Sequence, residues 1–170
     1  MYKAGDMIVY GGTGVCKVVG VTIPDFAREH GNRKYYELEP IYERGTIYTP
    51  VDNDQISMRY VMEKEEADDI IEKIPQIKTE KFTEKSTQKL TEHYKARLRE
   101  HSCEGLITVI RSAHEKMKEA KKANKKFGQI DKKYMKKAEN LLYGELAVAL
   151  DIEKEEVAGY IARKVEKQDV

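Results

Sequence analysis

Ten lysines and only two carboxylates fall between residues 116 and 137. Lys116, Lys118, Lys121, Lys122, Lys125 and Lys126 come before a short break, and Lys132, Lys133, Lys136 and Lys137 after it. A helix–loop–helix turn would fold the two sets into one face of ammonium groups. Such a face gains free energy by releasing counterions from a phosphate backbone. Lysine is a point charge without a fixed fork of donors, so it positions a backbone rather than reading bases. The alternative reading of the same charges is a solvated, solubilising face. The formal charge of the whole chain is only +1, and it is the local concentration that sets the field.

A second chemistry is offered by Thr46, Ile47, Tyr48, Thr49 and Pro50. The β-branched residues favour a strand. Pro50 has no amide hydrogen, which suits a sheet edge or a strand end. An unpaired edge can accept a partner strand through main-chain hydrogen bonds. An ordinary terminal strand guarded by Pro50 is the plainer reading.

Other constellations are absent. His30, His93, His101 and His114 show no HxxxH or HExxH spacing, so no metal site is expected. Cys16 and Cys103 form no CxxC pair. Gly11, Gly12, Thr13 and Gly14 are too short a run for GxGxxG and lack the GK[ST] of a P-loop, so they read as a β-turn. No Ser/His/Asp or Cys/His arrangement has a recognisable spacing. The expectation is a protein with no catalytic residues, no cofactor and no small-molecule substrate. No apolar run begins the chain, and none approaches the ~18 residues of a membrane span. Two cysteines and six methionines fit a reducing cytoplasm.

The elements that would carry these residues change type near residue 63. Before it, short runs at 7–10, 15–22, 35–42 and 46–51 alternate with turns and predict four or five antiparallel strands, as in a small Tudor-like barrel. Residues 24–33 read as a loop. After it, apolar spacing turns helical. Ala67, Ile70, Ile71 and Ile74 lie on one helix, stopped by Pro75. Residues 75–86 read as a connector. A second helix is predicted over 87–101, with Leu90, Tyr94 and Leu98 on one stripe. Ser102 caps a third. Residues 121–130 read as a charged loop, Asp131 as the cap of a fourth helix running to Leu150, and Asp151 as the start of a last one. The predicted fold is α+β, with a β domain over 1–62 and an all-α domain of about five helices over 63–170. Apolar residues at 40% support folding even with 36% charged residues.

The two halves together resemble the CarD family of bacterial transcription regulators. The pattern G-D-x-V-x-Y-x-x-x-G-V is present as Gly5-Asp6-Met7-Ile8-Val9-Tyr10 with Gly14-Val15, followed by Tyr35-Tyr36 and Thr49-Pro50. It is similar to that family's RNA polymerase-interacting domain, which transcription-repair coupling factors also carry. Tyr94-Lys95-Ala96 with Leu98, and Lys137-Ala138 with Leu142 through Ala147, are similar to the family's helical domain. No helicase motor follows. The resemblance implies that residues 46–50 add a strand to the RNA polymerase β subunit. It also implies that the helical domain holds promoter DNA, by its backbone and minor groove, at the upstream edge of the bubble and modulates open-complex stability. Lys116, Lys132 and Lys137 match the family's DNA contacts, Lys95 lies near the wedge site, and Lys133 and Lys136 share the lysine face. Some members place a tryptophan wedge where this chain has Leu90. Leucine can act as an apolar wedge, but Leu90 shares a stripe with Tyr94 and Leu98, so core packing is the rival role. Gly11 and Thr13 also depart from the Pro and His of many members. The competing functions are a protein-interaction adaptor and a nucleoid-type DNA binder without polymerase contact.

Overall fold

Glycines set the first turns. Gly11 (φ +45°) and Gly14 (φ +93°) take left-handed conformations between two strands, and the Thr13 amide closes the turn on the Tyr10 carbonyl at 3.0 Å. A Cβ at Gly11 would also lie 2.8 Å from Ile56 Cγ2. The turn joins β1 (Met7–Tyr10) to β2 (Gly14–Thr22). β3 (Tyr35–Pro40), β4 (Ile47–Pro50) and β5 (Met58–Tyr60) complete an antiparallel sheet of order β4-β3-β2-β1-β5. The chain is described by a computed structural model over residues 1–166, so the last four residues of the expected helical domain lie outside the described residues. It divides into two compact units, Met1–Met62 and Glu63–Val170.

The first unit buries Ile8, Tyr10, Cys16, Val18, Tyr36 and Leu38 on one side of the sheet. Strand alternation accounts for all six, which stand at i and i+2 in β1, β2 and β3. The β2–β3 register shifts between Val18 and Gly20, and Val19 and Val21 are exposed. Two expectations need correction. A short helix, α1 (Asp25–Arg28), interrupts the segment read as a loop, and it forms because Ala27 finds a place in the core. β3 stops at Pro40 rather than continuing to residue 42, since proline cannot donate to the ladder. The five antiparallel strands agree with the four or five expected, and β4 and β5 stand at the two ends of the sheet order.

The second unit holds α2 (Lys64–Lys73), α3 (Thr87–Leu98), α4 (Cys103–Lys122), α5 (Gln129–Leu150) and α6 (Val157–Glu166). A capping box between Glu63 and Glu66 starts α2, and a 3-10 turn containing Pro75 follows it. Ser86 and Ser102 cap α3 and α4, accepting from Lys89 N and Gly105 N. α3 ends three residues short of the expected 101, because His101 turns left-handed (φ +50°) just before Ser102. α4 runs to Lys122, and α5 begins at Gln129 with Gly128 in the cap position, so the charged loop is only residues 123–128. Asp151, expected to open the last helix, instead terminates α5 in a left-handed conformation, and Glu153 with Glu156 forms the next capping box.

Segment 77–86 is more than a connector. Ile77 and Phe82 are buried. The Glu80 amide donates to Ser112 Oγ at 2.8 Å, and Arg111 donates to the Ile77 carbonyl. The segment is laid along α4 and closes the core formed by Tyr94, Leu106, Ile107, Ile110, Tyr134 and Leu142.

Candidate functional site

Among the described residues β4 pairs only with β3, through Tyr35↔Pro50, Tyr36↔Thr49, Glu37↔Tyr48 and Leu38↔Ile47. The Val51 amide donates to the Lys34 carbonyl at 3.2 Å. In an antiparallel pair the peptide groups alternate in direction, so this bond aims Thr49 and Ile47 at β3. Tyr48 therefore turns its N–H and C=O outward, and Pro50 offers only a carbonyl there. The open edge carries one complete donor–acceptor pair, at Tyr48. Its side chain is 42% exposed, beside Phe26 at 55%. The Phe26 ring meets Tyr35 at 5.2 Å and Tyr48 at 6.0 Å between centroids, both edge-on. Thr46 is exposed, Ile47 partly buried and Thr49 buried. Four of the five predicted edge residues lie in β4, and Thr46 immediately precedes it.

α4 and α5 pack against each other and bring the lysines to one hairpin. Lys118, Lys121, Lys122, Lys125, Lys126, Lys132, Lys133, Lys136 and Lys137 are all exposed. On α5 the last four span an arc of about 140° at 3.6 residues per turn, opposite the buried Tyr134, Ala138 and Leu142. Lys133 Nζ lies 5.6 Å from the centre of the Tyr134 ring. Lys95 is exposed on α3, its Nζ 4.0 Å from Glu92.

Two of the predicted residues have inward surroundings. Leu90 is 8% exposed and belongs to the core beside Tyr94. The stripe with Tyr94 sets this, and a side chain so buried is not displayed to a groove. Lys116 turns inward. Its Nζ lies 2.9 Å from Asp131 Oδ1 and 2.5 Å from the Phe82 carbonyl.

Asp131 was expected as a helix cap. It sits instead in the first turn of α5 with its carboxylate buried, accepting from the Tyr94 hydroxyl at 2.5 Å. Burial, and then the Asp131 carboxylate, pushes the Tyr94 phenol far above its ordinary value, so the hydroxyl keeps its proton and donates. Tyr94 is stacked between Phe82 (4.2 Å) and Tyr134 (5.3 Å). The Phe82–Tyr94–Tyr134–Asp131 group was not legible locally, because its members lie up to 52 residues apart.

Other polar groups pair within the fold or are buried in it. Glu80 accepts from Arg97 Nε at 2.5 Å and faces His93 Nε2 at 2.9 Å. His93 Nδ1 is buried with no partner among the described residues. A tautomer donating from Nε2 leaves only a lone pair there. Burial, and secondarily Glu43, pushes the Cys16 thiol up to about 11, so it is not a nucleophile at neutral pH. Among the described residues no group of His, Cys, Asp and Glu could hold a metal ion, and no helix is long and apolar enough to cross a membrane.

Residues 2–62 match the model of the CarD-like/TRCF RID domain family. The first unit is a CarD-like RNA polymerase-interacting domain. Its boundary coincides with that of the compact unit ending at Met62. The RID domain is an interaction module without catalytic chemistry, and it ties this chain to transcription. No curated protein matches the chain.

Proposed function

We propose that this protein regulates transcription by docking on the RNA polymerase β subunit through residues 46–50 while its helical unit holds promoter DNA at the upstream edge of the bubble. The observation that carries the reading is the open edge of β4 in an RID domain, with Tyr48 offering an outward N–H and C=O beside exposed Phe26. A strand of the polymerase would add to that edge, and the aromatic side chains would pack over it.

The DNA half of the proposal rests on the lysine hairpin. Lys132 and Lys133 stand near the positive end of the α5 dipole, where a cation costs a few tenths of a kcal/mol. Stability therefore does not explain their position, which supports the reading that they meet a polyanion. Lys132, Lys133, Lys136 and Lys137 with Lys95 would contact phosphates, and Lys116 would act from within the fold. Leu90 would support α3 rather than enter the minor groove. Nothing is hydrolysed. A protein that binds the open complex better than the closed one shifts that equilibrium by its differential affinity.

The test measures polymerase binding and open-complex lifetime on one promoter. Lys132→Glu with Lys137→Glu should leave polymerase binding intact and return the lifetime to that of polymerase alone. An unchanged lifetime would favour an adaptor whose lysines only solubilise. Retained DNA binding without capture of the β subunit would favour a nucleoid-type binder.

A further inference from the structure

A surface-patch view of the lysine hairpin has no use for the carboxylate at its base. Asp131 is 3% exposed. A single oxygen, Oδ1, accepts from Tyr94 on α3 and from Lys116 on α4, while the Lys116 ammonium also donates to the Phe82 carbonyl. Three helices and segment 77–86 thus meet at one point. Gly128 makes room for it. A Cβ there would lie 2.6 Å from Asp131 Oδ2, although the φ of −63° at Gly128 suits any residue. The glycine serves the space of the carboxylate, not the backbone.

We infer that Asp131 is a positioning residue for polyanion binding and that Lys116 is its internal counter-ion rather than a phosphate contact. This rests on the DNA-binding reading of the lysine face. Lys132 and Lys133 directly follow Asp131, and Lys136 and Lys137 lie one turn further on. The cap position of α5 is a glycine with no side-chain bond, so the anchor of this first turn is Asp131. Releasing it lets the turn fray, and the lysines must then be ordered again on binding, which lowers affinity. Lys116 cannot reach outward without stranding a buried carboxylate, which costs more than an exposed contact returns.

The inference opposes simple electrostatics in sign. Asp131→Asn removes the negative charge beneath the face and so raises the local net charge by one. Charge alone makes it bind DNA more tightly, and positioning makes it bind more weakly. The experiment titrates the full-length protein against duplex promoter DNA at several salt concentrations. Asp131→Asn, Lys116→Met and Gly128→Ala are each expected to weaken binding about three- to tenfold, the size of one hydrogen bond, with the wild-type salt slope. Lys132→Glu with Lys137→Glu, as reference, should lose binding and about 0.9 of slope per lost phosphate contact. Asp131→Asn binding as tightly as wild type or more tightly overturns the inference. So does a Lys116→Met slope lower by about one. Gly128→Ala changes no charge and keeps both partners of Asp131. It carries the test if thermal melts show that the other variants have unfolded, and wild-type affinity in it overturns the inference. Absence of salt-dependent binding by the wild type, or wild-type binding by the reference, removes the DNA reading and the inference with it. Loss in the reference alone removes only the inference.

Discussion

Leu90 and Lys116 fit a motif by position, and their surroundings are those of the fold's interior. Leu90 lies one turn before Tyr94 on the inward face of α3. Truncating a leucine in a packed core removes its transfer free energy and leaves a cavity. Leu90→Ala should therefore lower unfolding stability by about 2–4 kcal/mol, whereas Leu90→Met, which conserves volume, should cost less than about 1.5 kcal/mol. Urea denaturation of the two variants measures both. A groove wedge behaves in the opposite way, with stability unchanged and only the open-complex lifetime reduced. Wild-type stability in Leu90→Ala would take Leu90 out of the core.

At the scale of elements, the periodicity of the chain revealed what local physics controls. Turn glycines placed β1 and β2, β-branched residues placed β4, and Ser102 capped α4 as its sequence implied. The misses share a cause. Phe82 stands in the polar run PQIKTEKFTEKS, and the rings of Tyr94 and His93 on α3, which pack against it, are distant in sequence. Asp131 looks like a cap because aspartate is favoured at that position, but its partner Tyr94 lies 37 residues away. β5 has three residues and exists by pairing with β1. Edge chemistry at β4 was legible as far as Pro50, and the direction of each amide was not. That direction yields a test. The Tyr48 N–H faces away from β3, so Tyr48→Pro removes a donor that the sheet does not use. It should abolish polymerase binding with the β domain still folded. Tyr48→Ala keeps the amide and should weaken binding only by the loss of aromatic packing. Polymerase capture alongside circular dichroism separates the two, and full binding by a folded Tyr48→Pro would exclude strand addition at this edge.

Over the whole molecule, charge is balanced in number and uneven in place, and acid should expose this. Glu80 is held below the usual carboxylate range, chiefly by its hydrogen bond from Arg97 and further by His93. Asp68, on α2, is held down by Lys164 and then by Tyr160, both on α6. A carboxylate with a depressed folded pKa binds fewer protons in the native state. Its contribution to stability is complete above the unfolded value, about pH 4, and is lost as pH falls through the lower folded value. Protonating the 30 carboxylates also leaves 31 Lys and Arg unopposed, and their mutual repulsion disfavours the compact state. The two effects differ in range. Repulsion spread over the surface is screened by salt, and a partly buried pair much less so. Urea midpoints followed by helical circular dichroism should thus hold down to about pH 5 as far as these carboxylates set them, and then fall steeply. Added salt should recover only part of that fall. Glu80→Gln should have a lower midpoint than wild type at neutral pH, and the gap should narrow as pH drops, because the wild type loses what the variant never had. A gap that stays constant into strong acid would mean that Glu80 acts through shape alone, and the Arg97–Glu80–His93 group would then be packing rather than a charge clamp on segment 77–86.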